Sequence, residues 1–306
     1  MNFTVVANQV LILLIILVVG VISGKAGIIA DGASKKLSEL LLYVTSPMMV
    51  LGSFFFEYSS EKLKNALLVF LAAVAFFLIS IFLSKIIFKG FDKNVKPITQ
   101  FAAVFPNAAY MGLPMMYALY GADGLFYGSF YVVAFNIFAW TFGYSMFSNV
   151  GKNLGMKNLL KKALLNPAVI AVYVGIVIFI FRIPIPFVVE GAVKYIGDMT
   201  LPLSMLIIGS LISTVKVKDL VNDVKVYIAS AVRLILMPLL AYGILHLIGA
   251  PKILISVIVT ALAMPVAAMT TVFADLFDKD AVFASKVVMV STILSVVTAP
   301  IIIGLI

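Results

Sequence analysis

Apolar residues run along this chain in ten long blocks, separated by short polar or glycine-containing stretches. A helix needs about 20 residues to cross the hydrocarbon of a bilayer. The blocks near 8–24, 37–56, 65–88, 97–120, 124–148, 159–181, 187–212, 224–248, 252–274 and 281–305 are of that order. They predict an all-α membrane protein of ten transmembrane helices, numbered here as spans 1 to 10. The first block has no basic leader and no small-residue cleavage site, so it is predicted as a span rather than a signal peptide. The longest connection, near 149–162, carries Gly151, Lys152, Gly155, Lys157, Lys161 and Lys162. It divides the chain into a first five-helix unit, 1–149, a cytoplasmic connecting loop, 150–158, and a second five-helix unit, 159–306.

Composition supports this reading. Of the 306 residues, 63% are hydrophobic and 11% charged, against roughly 25% charged in a soluble domain. Lipid must therefore be part of the solvent. In a soluble protein the net charge of +9 would suggest a nucleic-acid partner. Here the basic residues gather in alternate connections: fifteen follow odd-numbered spans and five follow even ones, while Arg233 and Lys286 lie inside spans. Excess Lys and Arg mark the cytoplasmic side. The odd connections are thus predicted to face the cytoplasm and both termini the outside of a cell (inner) membrane. Asp275, Asp278 and Asp280 outnumber Lys279 in the last connection and run against that trend.

The chain has no cysteine and one histidine, His246. Thiolate chemistry and His-rich metal sites are excluded. No nucleophile–base pair, metal cluster or phosphate loop is apparent, so an enzyme is not expected. The expected partners are the lipid bilayer and a small solute, without nucleic acid. Self-association as a homodimer through the scaffold helices defined below is left open. No cofactor or metal is expected; the coupling ion, a proton or sodium, stays open.

The two halves repeat. Thr45-Ser46-Pro47 in span 2 matches Thr200-Leu201-Pro202 in span 7 at an offset of 155, and a Gly-Ser pair follows each. Asp123-Gly124-Leu125-Phe126 matches Asp280-Ala281-Val282-Phe283 at 157, and Pro106 matches Pro265 at 159. Five spans per unit is an odd number, so the second unit enters the membrane from the opposite side. This is an inverted-topology repeat, a common plan for secondary transporters.

Span 4 reads Phe105-Pro106-Asn107-Ala108-Ala109-Tyr110-Met111-Gly112-Leu113-Pro114. Proline lacks the backbone donor and clashes with the preceding turn, so Pro106 and Pro114 with Gly112 between them predict an unwound middle. Span 9 offers Pro265, Thr270 and Thr271 in the matching place. Unwound backbone at membrane depth must line protein or a cavity. The freed N–H groups of a half-helix start suit an anion, and Asn107 adds an amide. If the breaks meet, they form a polar site near the midplane. Pro47 and Pro202 are placed beside that site by repeat symmetry, on the scaffold side; Pro238 and Pro300 are expected to be plain kinks. Asn136 is a candidate site residue or a helix-to-helix contact. Arg233 and Lys286 are the two cations within spans, and Asp198 is their acidic candidate partner. Two such cations suggest a carboxylate-bearing solute, with backbone carbonyls as the alternative partners. Tyr110, Tyr117, Tyr120, Tyr127, Tyr131 and Trp140 are assigned to interfacial belts and packing.

Two stretches are recognisable together. Asn107-Ala108-Ala109-Tyr110-Met111-Gly112-Leu113-Pro114, with Tyr120-Gly121 and 135–143, resembles the first-half signature of the auxin efflux carrier family. Residues 263–268, 284–295 and Thr298-Ala299-Pro300 resemble its second-half signature. There is no long central loop, so the resemblance is to the short prokaryotic type, within the bile acid/sodium symporter superfamily. It implies broken, crossing helices 4 and 9, a scaffold of helices 1, 2, 6 and 7, and a transport unit of helices 3–5 and 8–10. An elevator-like motion and a small carboxylate substrate are implied with them. Bacterial relatives often carry a polar amide where this chain has Met269, which implies a less polar second half of the site. The function expected is a secondary, efflux-type carrier of a small organic anion. A transporter-like sensor that binds without transport is the alternative, and the lack of an appended signalling domain in the sequence counts against it.

Overall fold

Continuous apolar stretches leave little for the backbone to do except bond to itself, and the described residues of these stretches are mostly helical. The computed structural model describes residues 3–29, 31–55, 59–147, 158, 161, 164–213 and 223–306. Residues 150–157 of the predicted connecting loop, with Gly151, Lys152, Gly155 and Lys157, lie outside the described residues, as do Lys162, Lys216 and Lys218. Among the described residues the regular structure is helical, apart from one isolated β-bridge.

The helices are α1 (Phe3–Lys25), α2 (31–52), α3 (Ser60–Ile87), α4 (Lys96–Val104), α5 (108–120), α6 (122–147) and α7 (Pro167–Phe181). Then come α8 (Phe187–Asp198), α9 (Thr200–Ser213), α10 (Val224–Leu247), α11 (Lys252–Ala263), α12 (Met269–Leu276) and α13 (Ala281–Ile303). Gly121 separates α5 from α6 with φ 65° and ψ −154°, a conformation that only glycine adopts without strain. Five stretches are long and apolar enough to cross a membrane: Ser60–Ile87, Ala108–Phe147, Phe187–Ser210, Val224–Leu247 and Ala281–Ile303. Shorter apolar helices occupy Leu11–Lys25, Pro167–Phe181 and Lys252–Ala263. Outward-facing Leu11, Ile15 and Ile22 on α1, and Leu71, Leu78 and Phe82 on α3, are exposed. Such a surface belongs in lipid, and the chain is a multi-pass membrane protein.

Wide, π-type turns interrupt several helices, and three of them stand just before a proline. They cover Leu41–Thr45 before Pro47, Ala108–Gly112 before Pro114, and Val232–Leu236 before Pro238. In each, the residue preceding the proline donates its N–H to the carbonyl five residues back: Ser46 to Leu41, Leu113 to Ala108, Met237 to Val232. Widening the turn makes room for the pyrrolidine ring, which would otherwise clash with the carbonyl four residues back. The predicted unwinding from Pro106 to Pro114 is therefore narrower than expected. Only 105–107 leaves the helix, and Pro114 starts a helical segment behind its wide turn.

Two packing groups form. In the first, α1 lies along α9, and α2 packs against α7 and α8. A Cβ on Gly20 would strike the Leu206 carbonyl, and one on Gly209 would strike that of Leu17, so these two glycines permit the α1–α9 approach. The second gathers α3 against α5 and α6, and α10, α11, α12 and α13 against one another. A run of rings, Phe77, Phe101, Phe105, Phe135 and Phe138, fills its interior.

Candidate functional site

The breaks in the fourth and ninth predicted spans meet. After α4 the chain is extended through Phe105-Pro106-Asn107, and after α11 through Met264-Pro265-Val266. The two strips run antiparallel with Pro106 opposite Val266. Asn107 donates its N–H to the Pro265 carbonyl at 2.7 Å, and Ala267 donates to the Phe105 carbonyl at 3.0 Å. Shifting every residue by 160 converts one bond into the other. The Val266 N–H, which its counterpart Pro106 lacks, is received by the Ser291 hydroxyl of α13 at 3.1 Å.

The carbonyls that end the two inner half-helices also find a partner. Arg233, fully buried in the wide turn of α10, donates Nη1 to the carbonyls of Ala103 (3.0 Å) and Val104 (3.2 Å) and Nη2 to that of Leu262 (2.6 Å). Asp198 is not its partner. Asp198 is exposed at the end of α8, where it lines a separate cavity of about 200 Å³ with Glu190, Lys194, Ser53 and Tyr117. Of the two partners the sequence offered for Arg233, the backbone carbonyls prevail, because three of them end at the crossing with no helical N–H to receive.

At the starts of the outer half-helices, α5 and α12, the N–H groups of Ala109, Tyr110, Ala268 and Met269 have no acceptor among the described residues. All four residues line one cavity of about 60 Å³. It is completed by Pro106, Asn107, Asn136, Asn166, Ser46, Leu42 and Phe135, among others. Asn107 is 6% exposed, and its side-chain amide has no hydrogen-bond partner among the described residues. Asn136 is 4% exposed and gives one N–H to the Val132 carbonyl at 2.9 Å; its oxygen and second N–H have no partner among the described residues. Asn166 caps α7 through Oδ1 to the Ala168 N–H at 3.0 Å, which leaves its NH₂ free to donate. The cavity thus holds many donors and no carboxylate.

The structure brings together Pro106, Asn107, Asn136 and Met269, with Pro265 at the crossing beneath them. It leaves the other predicted residues elsewhere. Gly112 lies against Met264, and Pro114 is buried in α5; neither lines the cavity. The Thr270 hydroxyl turns back to the Ala267 carbonyl at 2.6 Å, and Thr271 is outside the lining. Lys286 is half-buried on α13, away from the lining. Pro47 is buried next to the lining residue Ser46, and Pro202 is half-buried in α9. Sequence reasoning assigned Tyr110 to packing and passed over Asn166, whose Asn-Pro pair is a helix-start signal. Ser46 stands in the repeat motif Thr45-Ser46-Pro47, and Ser291 within the stretch 284–295.

A smaller cavity, about 30 Å³, has the equivalent lining from the opposite elements: α1, α5, α9, α13 and Met264. Its walls are Met111, Met115, Met205, Met264, Leu13, Leu17 and neighbours. Near the crossing, Tyr120 Oη and Thr260 Oγ1 share a hydrogen bond of 2.8 Å, tying the end of α5 to α11.

Known proteins agree with this reading at the level of the family. The sequence profile of a family described as Membrane transport protein matches residues 5–303. An uncharacterised transporter of Methanocaldococcus jannaschii is 25% identical over 295 residues, 94% of each chain. One from Methanothermobacter thermautotrophicus is 24% identical over 300 residues, 96% of each chain. The chain belongs to the membrane transport protein family, that of the auxin efflux carriers its motifs resemble.

Proposed function

We propose that this transporter is a secondary carrier for a small organic anion, with the carboxylate held in the cavity above the crossing. The observation that supports this most is the convergence of four unpaired backbone N–H groups and the unpartnered Asn107 amide on one buried cavity. An anion accepts such hydrogen bonds and is favoured by the positive ends of α5 and α12. A cation would find no carboxylate among the lining residues.

In this reading all ten predicted spans cross the inner membrane as two inverted five-helix units, with both termini outside. The group of α1, α2 and α7–α9 is the scaffold, and α3–α6 with α10–α13 move against it as an elevator. The polar cavity is the site as it opens to one face. The methionine-walled cavity is the same passage closed toward the other. Tyr110 and Ser46 supply hydroxyls to the bound anion, and Met269 limits the polarity on the α12 side.

Thermal-shift titration of purified protein with malonate, malate, butyrate and benzoate, beside neutral sugars and organic cations, tests the assignment. Acids are expected to stabilise the protein in a saturable way, with no response to sugars or cations. Asn107→Ala should lose the response while melting within a few degrees of the parent. A full acid response in Asn107→Ala, or stabilisation by sugars alone, would refute the site.

A further inference from the structure

We propose that Arg233 is a positioning residue that sets the charge preference of the cavity, by neutralising the two half-helix ends that would otherwise repel an anion. This rests on the reading of the cavity as an anion site.

Each broken helix brings two ends to the crossing. The inner halves, α4 and α11, arrive with their carbonyl ends, and the outer halves, α5 and α12, leave with their N–H ends. A helix end carries about half an elementary charge, negative at the carbonyls and positive at the N–H groups. Left alone, the two pairs would largely cancel, and the crossing would have no preference for either sign. The single guanidinium changes that balance. Its hydrogen bonds reach Ala103 and Val104 at the end of α4 and Leu262 at the end of α11. One positive charge therefore matches two half-charges, and the N–H ends facing the cavity remain uncompensated.

Several details fit this role. Arg233 is 0% exposed, and among the described residues no carboxylate pairs with it. An isolated buried charge is costly, so its partner here is the pair of helix dipoles. Arginine suits the position because its planar fork holds two donor nitrogens in a fixed geometry, Nη1 on the α4 carbonyls and Nη2 on that of α11. The wide turn Val232–Leu236, which stands just before Pro238, carries the residue. The first half of the chain has no second copy: residues 157 and 160 positions earlier are Phe76 and Ala73, both buried and apolar. One cation thus serves both broken helices.

The test compares acids with their own amides. Wild type, Arg233→Lys and Arg233→Gln are titrated by thermal shift with malonate, butyrate and benzoate and with malonamide, butyramide and benzamide. Wild type is expected to prefer acid over amide. Arg233→Gln keeps donors but no charge, and its preference should fall by roughly tenfold, the scale of a lost charge–dipole interaction. Arg233→Lys keeps the charge without the fork; it should weaken acid and amide alike and keep the preference. A residue that only braced the fold would shift acid and amide equally in both variants, and that result overturns the proposal. If Arg233→Gln does not fold, Arg233→Lys decides, since loss of acid preference there contradicts a role set by charge. Wild-type protein that prefers amides would overturn the anion reading itself, and this proposal with it.

Discussion

Asn107 and Asn136 face the same cavity with different freedom. The Asn107 amide has no partner among the described residues, whereas Asn136 is anchored to Val132 through one N–H. Asn136→Asp would place a carboxylate where an anion is proposed to bind. Acid binding at neutral pH should fall by at least tenfold relative to wild type, from like-charge repulsion in a site with little water. As the pH falls through the titration of that carboxylate it becomes neutral, so the ratio of variant to wild-type affinity should recover toward one. Titrations at several pH values check this, and a ratio independent of pH would contradict it. At this scale Asn107 was legible, because an amide beside a membrane proline has few bland explanations. Tyr110 and Asn166 were not legible, because aromatic residues and helix caps are common in any membrane helix. Thr270 misled because a threonine hydroxyl can satisfy itself on the carbonyl three residues back, as it does with Ala267.

Among helices, prolines announce that something happens but not what. Pro106 and Pro265 end helices and start the crossing, while Pro47, Pro114 and Pro238 are absorbed by wide turns. Sequence cannot separate the two outcomes, since a wide turn depends on room beside the helix rather than on the residue itself. Two consequences follow. Pro114→Ala should leave acid affinity within about twofold of the parent, because Pro114 lies outside the cavity and a π-turn is not its doing alone; an equilibrium titration reads this. Ser291→Ala should leave the Val266 N–H buried and unpaired, at a cost of about 1–3 kcal/mol. The variant should melt several degrees lower in detergent, and an unchanged melting temperature would mean that another group receives that N–H.

On the scale of the whole molecule, the matching sequence motifs stand 155 to 159 residues apart. The exchanged bonds at Asn107 and Ala267 relate by 160, and equivalent elements line the polar and the methionine-walled cavities. What no offset could reveal is the asymmetry between them: asparagines on one side, methionines on the other, and a single arginine for both broken helices. If alternating access operates, the methionine-walled cavity must open during the cycle. With no native cysteine, Met115→Cys and Met205→Cys, both on that cavity's wall, can be bridged by a short bifunctional thiol reagent cleavable by reductant, without background. Cross-linking is expected to stop flux and reductive cleavage to restore it, with acid binding retained in the locked form. Undiminished flux in the cross-linked protein would rule out movement between α5 and α9.

Counterflow in proteoliposomes addresses the central claim most directly. Vesicles loaded with unlabelled malonate, malate, butyrate or benzoate are given the same labelled acid, with wild-type protein and with Asn107→Ala. The account predicts saturable uptake of at least one acid by wild type, no uptake of labelled sugars or organic cations, and loss of acid uptake in the variant. Exchange of sugars or cations by wild type, or full acid exchange by Asn107→Ala, would contradict it.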